Sequence, residues 1–220
     1  MAGRTIVVGD IHGCYDELVE LLDRVALGAG DAVIAVGDLV VKGEKNREVL
    51  ELFSTDRRFA AVIGNHDLAL LRYWRGEPVG LKPAQERARL ELEPGRARYS
   101  AYLGTLPPFI DLDTHLVVHG GVRPSVELAA QTIEDLTELR TLGPDRTSRQ
   151  GQPWYAVYNG PQTVLFGHWP AHEPRRARHP IGLDTGCVYG FQLTAYIIDT
   201  GEFVQVQARR AYDPPKNRVE

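Results

Sequence analysis

The sequence predicts an α/β fold, and three observations carry that reading. Short runs of β-branched and apolar residues recur at strand length, at Thr5–Val8, 32–36 and 59–63. Amphipathic segments with helical spacing lie between them. Each run closes on a glycine followed at once by a polar residue. Buried strands alternating with helices are the pattern of a largely parallel sheet whose loops carry chemistry.

The first strand, Thr5–Val8, carries no charge and runs into Gly9-Asp10. Residues 16–25 place Leu18, Leu21, Leu22 and Val25 at helical spacing, with Asp16 as the expected N-cap. A second buried strand, 32–36, ends at Gly37-Asp38. Residues 46–53 form the next amphipathic helix, with Val49, Leu50 and Phe53 on one face. The third strand, 59–63, ends at Gly64-Asn65-His66-Asp67. Beyond it, 68–75, 83–92 and 96–106 read as helices, punctuated by Pro94-Gly95 and stopped by Pro107-Pro108. A strand at 116–118 runs into His119-Gly120-Gly121, and a helix is expected over 133–142. Residues 146–152 read as loop, and Thr163–Phe166 is a strand ending in Gly167-His168. The tail reads as a hairpin, 192–198 and 203–207, around Asp199-Thr200-Gly201-Glu202.

Composition narrows the class. The chain has 220 residues, 43% hydrophobic and 25% charged, which excludes a disordered, collagen-like or disulfide-stapled protein. A chain of this length buries roughly 70% of its unfolded surface, so one domain over 1–220 is expected and a metal would serve chemistry rather than folding. The net charge of −4 provides no global field for nucleic acid, and no specific nucleic-acid partner is expected. The two cysteines, Cys14 and Cys187, have no CxxC partner, which disfavours a structural zinc or redox motif. The opening apolar run is only Ile6-Val7-Val8 before Asp10, neither a signal peptide nor a membrane span. A cytoplasmic protein without a membrane partner is expected.

Five expected strand ends carry polar clusters of one chemical kind: Asp10-x-His12, Asp38, Asn65-His66-Asp67, His119 and His168. Singly, each is ordinary turn chemistry. Together, carboxylates, imidazoles and an amide oxygen suit divalent transition metals such as manganese, iron, cobalt or zinc.

GDIHG, GDLVVKG, GNHD, VHGG and FGHW resemble the successive signatures of the calcineurin-like metallophosphoesterases, in the phosphoprotein-phosphatase branch. With LDTGCVYG, the set is similar to symmetrical diadenosine tetraphosphate hydrolases and, more closely, to the related phosphatases with lysine-glycine in the second motif. The resemblance runs from Val7 to about Thr194. It implies a four-layer fold, a central β-sandwich of two mixed sheets flanked by helices, with 73–98 as a helical cap. It implies that Asp10 and His12 bind a first metal, Asp38 bridges, and Asn65, His119 and His168 complete a second. His66 would be the general acid. The cofactors implied are two divalent ions, manganese first. The reaction implied is direct in-line attack by an activated water, with no phosphoenzyme.

Two departures from that branch matter. Its second motif typically reads GDxVDRG, where this chain has Val41 and Lys42. Valine cannot accept a hydrogen bond from His66, which leaves Asp67 and Asp184 as candidates to orient it. Lysine keeps the charge but loses bidentate phosphate geometry. Arg140 matches a family substrate arginine, and Arg123 follows the VHGG motif directly. Trp169, beside His168, is the candidate for stacking on a base. The expected substrate is a small polyphosphate or nucleotide, with diadenosine tetraphosphate cut symmetrically to two ADP. Inorganic polyphosphate, capped RNA and phosphoproteins are the alternatives, and a non-catalytic metal-binding module is disfavoured by the intact ligand set.

Overall fold

The computed structural model describes residues 3–214. In chain order its strands and helices are β1 (Thr5–Val8), α1 (Tyr15–Arg24), β2 (Ala32–Ala35), α2 (Asn46–Thr55), β3 (Phe59–Ala61), α3 (Asn65–Trp74), α4 (Pro83–Leu92) and α5 (Arg96–Leu103). Then follow β4 (Phe109–Leu112), β5 (His115–Val118), α6 (Ile133–Glu138), α7 (Trp154–Val157), β6 (Thr163–Phe166), β7 (Arg175–Arg176), β8 (Ile181–Gly182), β9 (Gln192–Ile197) and β10 (Glu202–Gln207).

Two five-stranded mixed sheets form, in the orders β10-β9-β1-β2-β3 and β4-β5-β6-β8-β7. In the first, β1, β2 and β3 run parallel while β9 and β10 are antiparallel. In the second, β5, β6 and β8 run parallel, with β4 and β7 antiparallel at the edges. Alternation within each strand divides the core into layers. Val7, Ile34, Val117 and Leu165 meet between the sheets. Ile6, Val8, Val33 and Ala35 face the helices on one outer side, and Leu116, Val118, Val164 and Phe166 face Leu136 and Trp154 on the other. Apolar residues on both faces are what a doubly covered sheet requires, which is why the strands read as continuous hydrophobic runs. The four-layer α/β sandwich implied by the motifs is therefore present.

Several boundaries differ from expectation. The N-cap of α1 is Cys14, and Asp16 lies in the first turn. Its carboxylate is drawn outward by Lys45 at 2.6 Å and Arg209 at 2.8 Å. Helix α3 begins at Asn65 and not at Leu68, which makes Gly64 its N-cap and puts Asn65, His66 and Asp67 in its first turn. Helix α5 stops at Leu103, and the strand β4 that follows Pro107-Pro108 was not expected. The helix expected over 133–142 ends at Glu138, where Leu139 turns extended with φ −65° and ψ 121°. Leu139 is buried and Thr141 bridges Pro153, so packing and pairing take over from helix propensity there. Among the described residues no helix is long and apolar enough to cross a membrane.

Candidate metal centre

The carboxyl ends of β1, β2, β5 and β6 and the first turn of α3 converge on one edge of the sandwich, and the expected strand-end residues meet there. Asp10, His12, Asp38, His119 and His168 are all buried. His12, Asp38 and His66 bring ligand atoms within 4.8 Å of one another, as do Asp10, Asp38 and His119, so Asp38 belongs to both groups. Asn65 Oδ1 lies 3.0 Å from His119 Nε2 and 2.9 Å from His168 Nδ1. Asp38 Oδ2 lies 3.4 Å from His12 Nε2 and 3.5 Å from His119 Nε2.

The chain is bent to achieve this. His12, Asp38 and His168 adopt φ of 49°, 49° and 66°, and Val41 and Lys42 adopt 79° and 72°. For a β-branched residue such as Val41 that conformation costs about 1–3 kcal/mol, and strain of this kind gathers at functional sites. Two glycines allow the close approach. A Cβ at Gly64 would overlap the Asp38 backbone and carboxylate, and one at Gly167 would overlap the Asp10 carboxylate.

Backbone groups set the direction of each ring. His12 Nδ1 faces the Val40 carbonyl at 3.2 Å and His119 Nδ1 faces that of Val36 at 2.8 Å. With Nδ1–H donating to a carbonyl, Nε2 is left to face the site, the usual arrangement of an imidazole ligand. Both oxygens of Asp10 accept the His168 N–H, at 3.2 and 3.1 Å. Asp38 Oδ1 accepts the backbone N–H of His66 at 2.9 Å.

The donor set has the electrostatics of a cation site. Burial and the neighbouring Asp184 push the Asp10 carboxyl well up. Asp38 is held well down despite burial, because His119, His66 and His12 surround it. Burial and Lys42 lower His12 to about 3, and His66 and His168 are also pushed well down by burial. His119 stands at about 9: burial opposes the charge, and Asp38 and Asp10 favour it. Nε2 of His119 faces two acceptor oxygens, Asp38 Oδ2 and Asn65 Oδ1, an arrangement that calls for positive charge between them. A divalent ion would meet the same demand. His168 Nε2 is buried without a hydrogen-bond partner. These residues fit a pair of divalent cations, and the clusters define a dinuclear metal-binding site.

Of the residues expected to bind substrate, Lys42 is brought in and Arg123 is engaged elsewhere. Lys42 Nζ lies 2.8 Å from His12 Nε2 and is hydrogen-bonded to Tyr189. Arg140 leaves the helix it was expected to occupy, and its Nη2 donates to the His168 carbonyl at 3.0 Å. Its Nε is buried without a partner. Arg123 makes a bidentate pair with Asp135, at 2.7 and 3.0 Å, which Arg146 shares at 3.0 Å. Trp169 is buried, with the Arg175 guanidinium 4.9 Å from its ring centre, so a base has little access to it.

Neither carboxylate considered for His66 orients its ring. Asp67 accepts the N–H groups of Leu39, Val40 and Gly64, at 3.2, 3.3 and 3.1 Å, and so braces the second motif against α3. Asp184 accepts Gly186 N–H at 3.1 Å. The His66 ring instead meets Gln85 of α4, Nδ1 to Nε2, at 3.4 Å. No motif marks Gln85, and only the folding of α4 over the site reveals it. The two cysteines, distant in sequence, also meet, with Glu17, in a third buried group beneath α1. Its Cys187 thiol is pushed well up by its hydrogen bond with Cys14 and by burial.

Residues 3–198 match the family model for calcineurin-like phosphoesterases. The asymmetrical bis(5'-nucleosyl)-tetraphosphatase PrpE of Bacillus subtilis is 30% identical over 239 aligned positions, covering 96% of this chain and 98% of that protein. A symmetrical bis(5'-nucleosyl)-tetraphosphatase of Neisseria gonorrhoeae is 26% identical, covering 94% and 96%. A crystal structure of a candidate diadenosine tetraphosphatase superposes with a TM-score of 0.78 at 32% identity, covering 94% of this chain and 95% of that one.

Proposed function

Since the chain belongs to the calcineurin-like phosphoesterase family and is a metal-dependent phosphoesterase, we propose that its substrate is a dinucleoside polyphosphate, cut at a phosphoanhydride bond. The observation that carries the reading is Asp38, whose carboxylate takes part in both groups of ligand atoms. Asp10, His12 and Asp38 would hold one divalent ion, and Asp38, Asn65, His119 and His168 the other. Manganese is the first choice, with iron, cobalt or zinc as alternatives. Such ions, when bound, polarise phosphoryl oxygens and lower the pKa of water.

The chain's own groups do the rest. His66 donates a hydrogen bond to the leaving oxygen. Lys42, half-buried beside Tyr189, meets a phosphate as a point charge, and Arg140 offers the buried Nε that has no partner. Arg140 is the phosphate-binding arginine in this reading, because Asp135 occupies the Arg123 guanidinium.

The cut we propose is asymmetrical, to ATP and AMP, in place of the symmetrical cut expected from the motifs. Relatives from Bacillus subtilis and Halalkalibacterium halodurans, at 30% and 31% identity, are named asymmetrical, against 26% for the symmetrical Neisseria protein. Incubation of the manganese-loaded protein with diadenosine tetraphosphate in ¹⁸O-water tests this. ATP and AMP, with a single label in the pair, are expected. Two ADP would restore the symmetrical register, and no cleavage with metals bound would end the reading.

A further inference from the structure

We propose that Gln85 is the positioning residue of His66 and that its amide restricts the enzyme to leaving groups that depart as stable anions. The inference rests on the reading of His66 as donor to the leaving oxygen.

The orientation of the Gln85 amide is fixed by its other contact. Its Oε1 accepts the backbone N–H of Lys82 at 2.8 Å, in the first turn of α4. Oε1 is thereby committed, and the group that faces His66 Nδ1 at 3.4 Å is the NH₂. Gln85 is itself buried, so the amide has little room to turn. An NH₂ group donates and cannot accept. Nδ1 of His66 must therefore be the acceptor, which places the ring proton on Nε2. Val41 stands where the family's protein phosphatases carry an aspartate, and it offers no acceptor that would draw a proton back to Nδ1.

The consequence is chemical. An imidazole held this way presents Nε2–H as a hydrogen-bond donor, but transferring that proton outright would leave an imidazolate. In the reaction a P–O bond forms to the oxygen of water, the P–O bond to the leaving group breaks, and the proton lost by water passes to solvent. The leaving oxygen keeps its electron pair and accepts a hydrogen bond from Nε2–H. A terminal phosphate, with a pKa near 6, leaves readily in that form. A serine alkoxide, about as basic as hydroxide (pKa ~15.7 for water), does not. The Gln85 amide therefore selects phosphoanhydrides over phosphoserine.

The manganese-loaded enzyme and its Gln85→Glu and Gln85→Leu variants are compared on diadenosine tetraphosphate, p-nitrophenyl phosphate and an alkyl phosphate. Glutamate can still accept Lys82 N–H with one oxygen while the other accepts from Nδ1, so α4 is retained; melting temperatures check this. We expect Gln85→Glu to raise alkyl over p-nitrophenyl turnover by about 10²-fold, the low end of a general-acid contribution. We expect Gln85→Leu to lower kcat on diadenosine tetraphosphate with KM unchanged. Parallel changes on all three substrates at unaltered melting temperature would overturn the proposal. If the wild type cleaves p-nitrophenyl phosphate but not diadenosine tetraphosphate, the substrate reading fails, while the alkyl to p-nitrophenyl ratio still decides the role of Gln85. No turnover on any substrate with both metals bound would overturn both.

Discussion

Asp38 accepts the backbone N–H of His66 at 2.9 Å, across 28 residues of sequence. One carboxylate thus does two things. Its Oδ2 faces His12 and His119 within the ligand groups, and its Oδ1 anchors the first turn of α3, where the helix dipole favours negative charge. The position of His66 is therefore tied to the carboxylate that both groups of ligand atoms share.

Close approach at Gly167 gives a first prediction. A Cβ there would overlap the Asp10 carboxylate and meet Val36, both on the other sheet. Gly167→Ala should lower kcat by about 10²-fold, the scale of a displacement near 1 Å, while circular dichroism shows the fold retained. Near-normal kcat would show that Asp10 can move without loss.

Arg140 is tested by its two replacements. Arg140→Ala should raise KM for diadenosine tetraphosphate more than it lowers kcat, as loss of uniform substrate binding does. Arg140→Lys should recover only part of the loss, because lysine cannot reproduce a fork that spans the His168 carbonyl, the Thr147 carbonyl and a phosphate. Steady-state kinetics on both variants decide it. Full recovery by lysine would reduce the role of Arg140 to charge alone.

Without metal, the buried Asp10 carboxylate should destabilise the fold at neutral pH and above. Burial and Asp184 hold the Asp10 carboxyl well up, so the folded chain binds that proton more tightly than the unfolded chain does. Stability from this group is present at low pH and lost as pH rises through the folded value. Asp10→Asn should then melt at or above wild type in EDTA at pH 8, yet below it in manganese, where binding stabilises only the native site. A lower melting temperature in both conditions would contradict this.

Away from the site, Asp31 joins the start of β1 to the loop before β2. Its carboxylate is held well down by the Arg4 guanidinium at 2.6 Å and by the backbone N–H groups of Arg4 and Gly28. A depressed folded value stabilises above the unfolded pKa and is lost as pH falls through the folded one. Urea melts at pH 7 and pH 3 should therefore show wild type losing more stability on acidification than Asp31→Asn. Equal losses would assign the pair no net effect.

The candidate ligands were legible because Asp10, Asp38, Asn65 and His168 each follow an apolar strand and a glycine, while His119 ends its strand and precedes Gly120-Gly121. Asp10, Asp38, Asn65, His119 and His168 are candidates on that pattern, and tertiary structure brings them to one edge of the sandwich. The parts that were missed depend on contacts between distant segments. Nothing in the charged sequence of α4 singles out Gln85, since its partner lies on α3. The helix through Arg140 looked continuous, but burial of Leu139 and the bridge from Thr141 to Pro153 end it at Glu138. Strand β4 is half-buried at a sheet edge, and so lacks the hydrophobic run that marks its neighbours.

In the proposed dinuclear centre Asp38 is the shared carboxylate, and Asp38→Asn removes its charge with little change in shape. We would measure metal content by inductively coupled plasma mass spectrometry alongside turnover of diadenosine tetraphosphate, after dialysis against manganese. Wild type should retain two ions per chain. Asp38→Asn should lose metal and fall to background turnover, with the fold intact by circular dichroism. Two ions and near-normal turnover in the variant would contradict a metal centre bridged by Asp38.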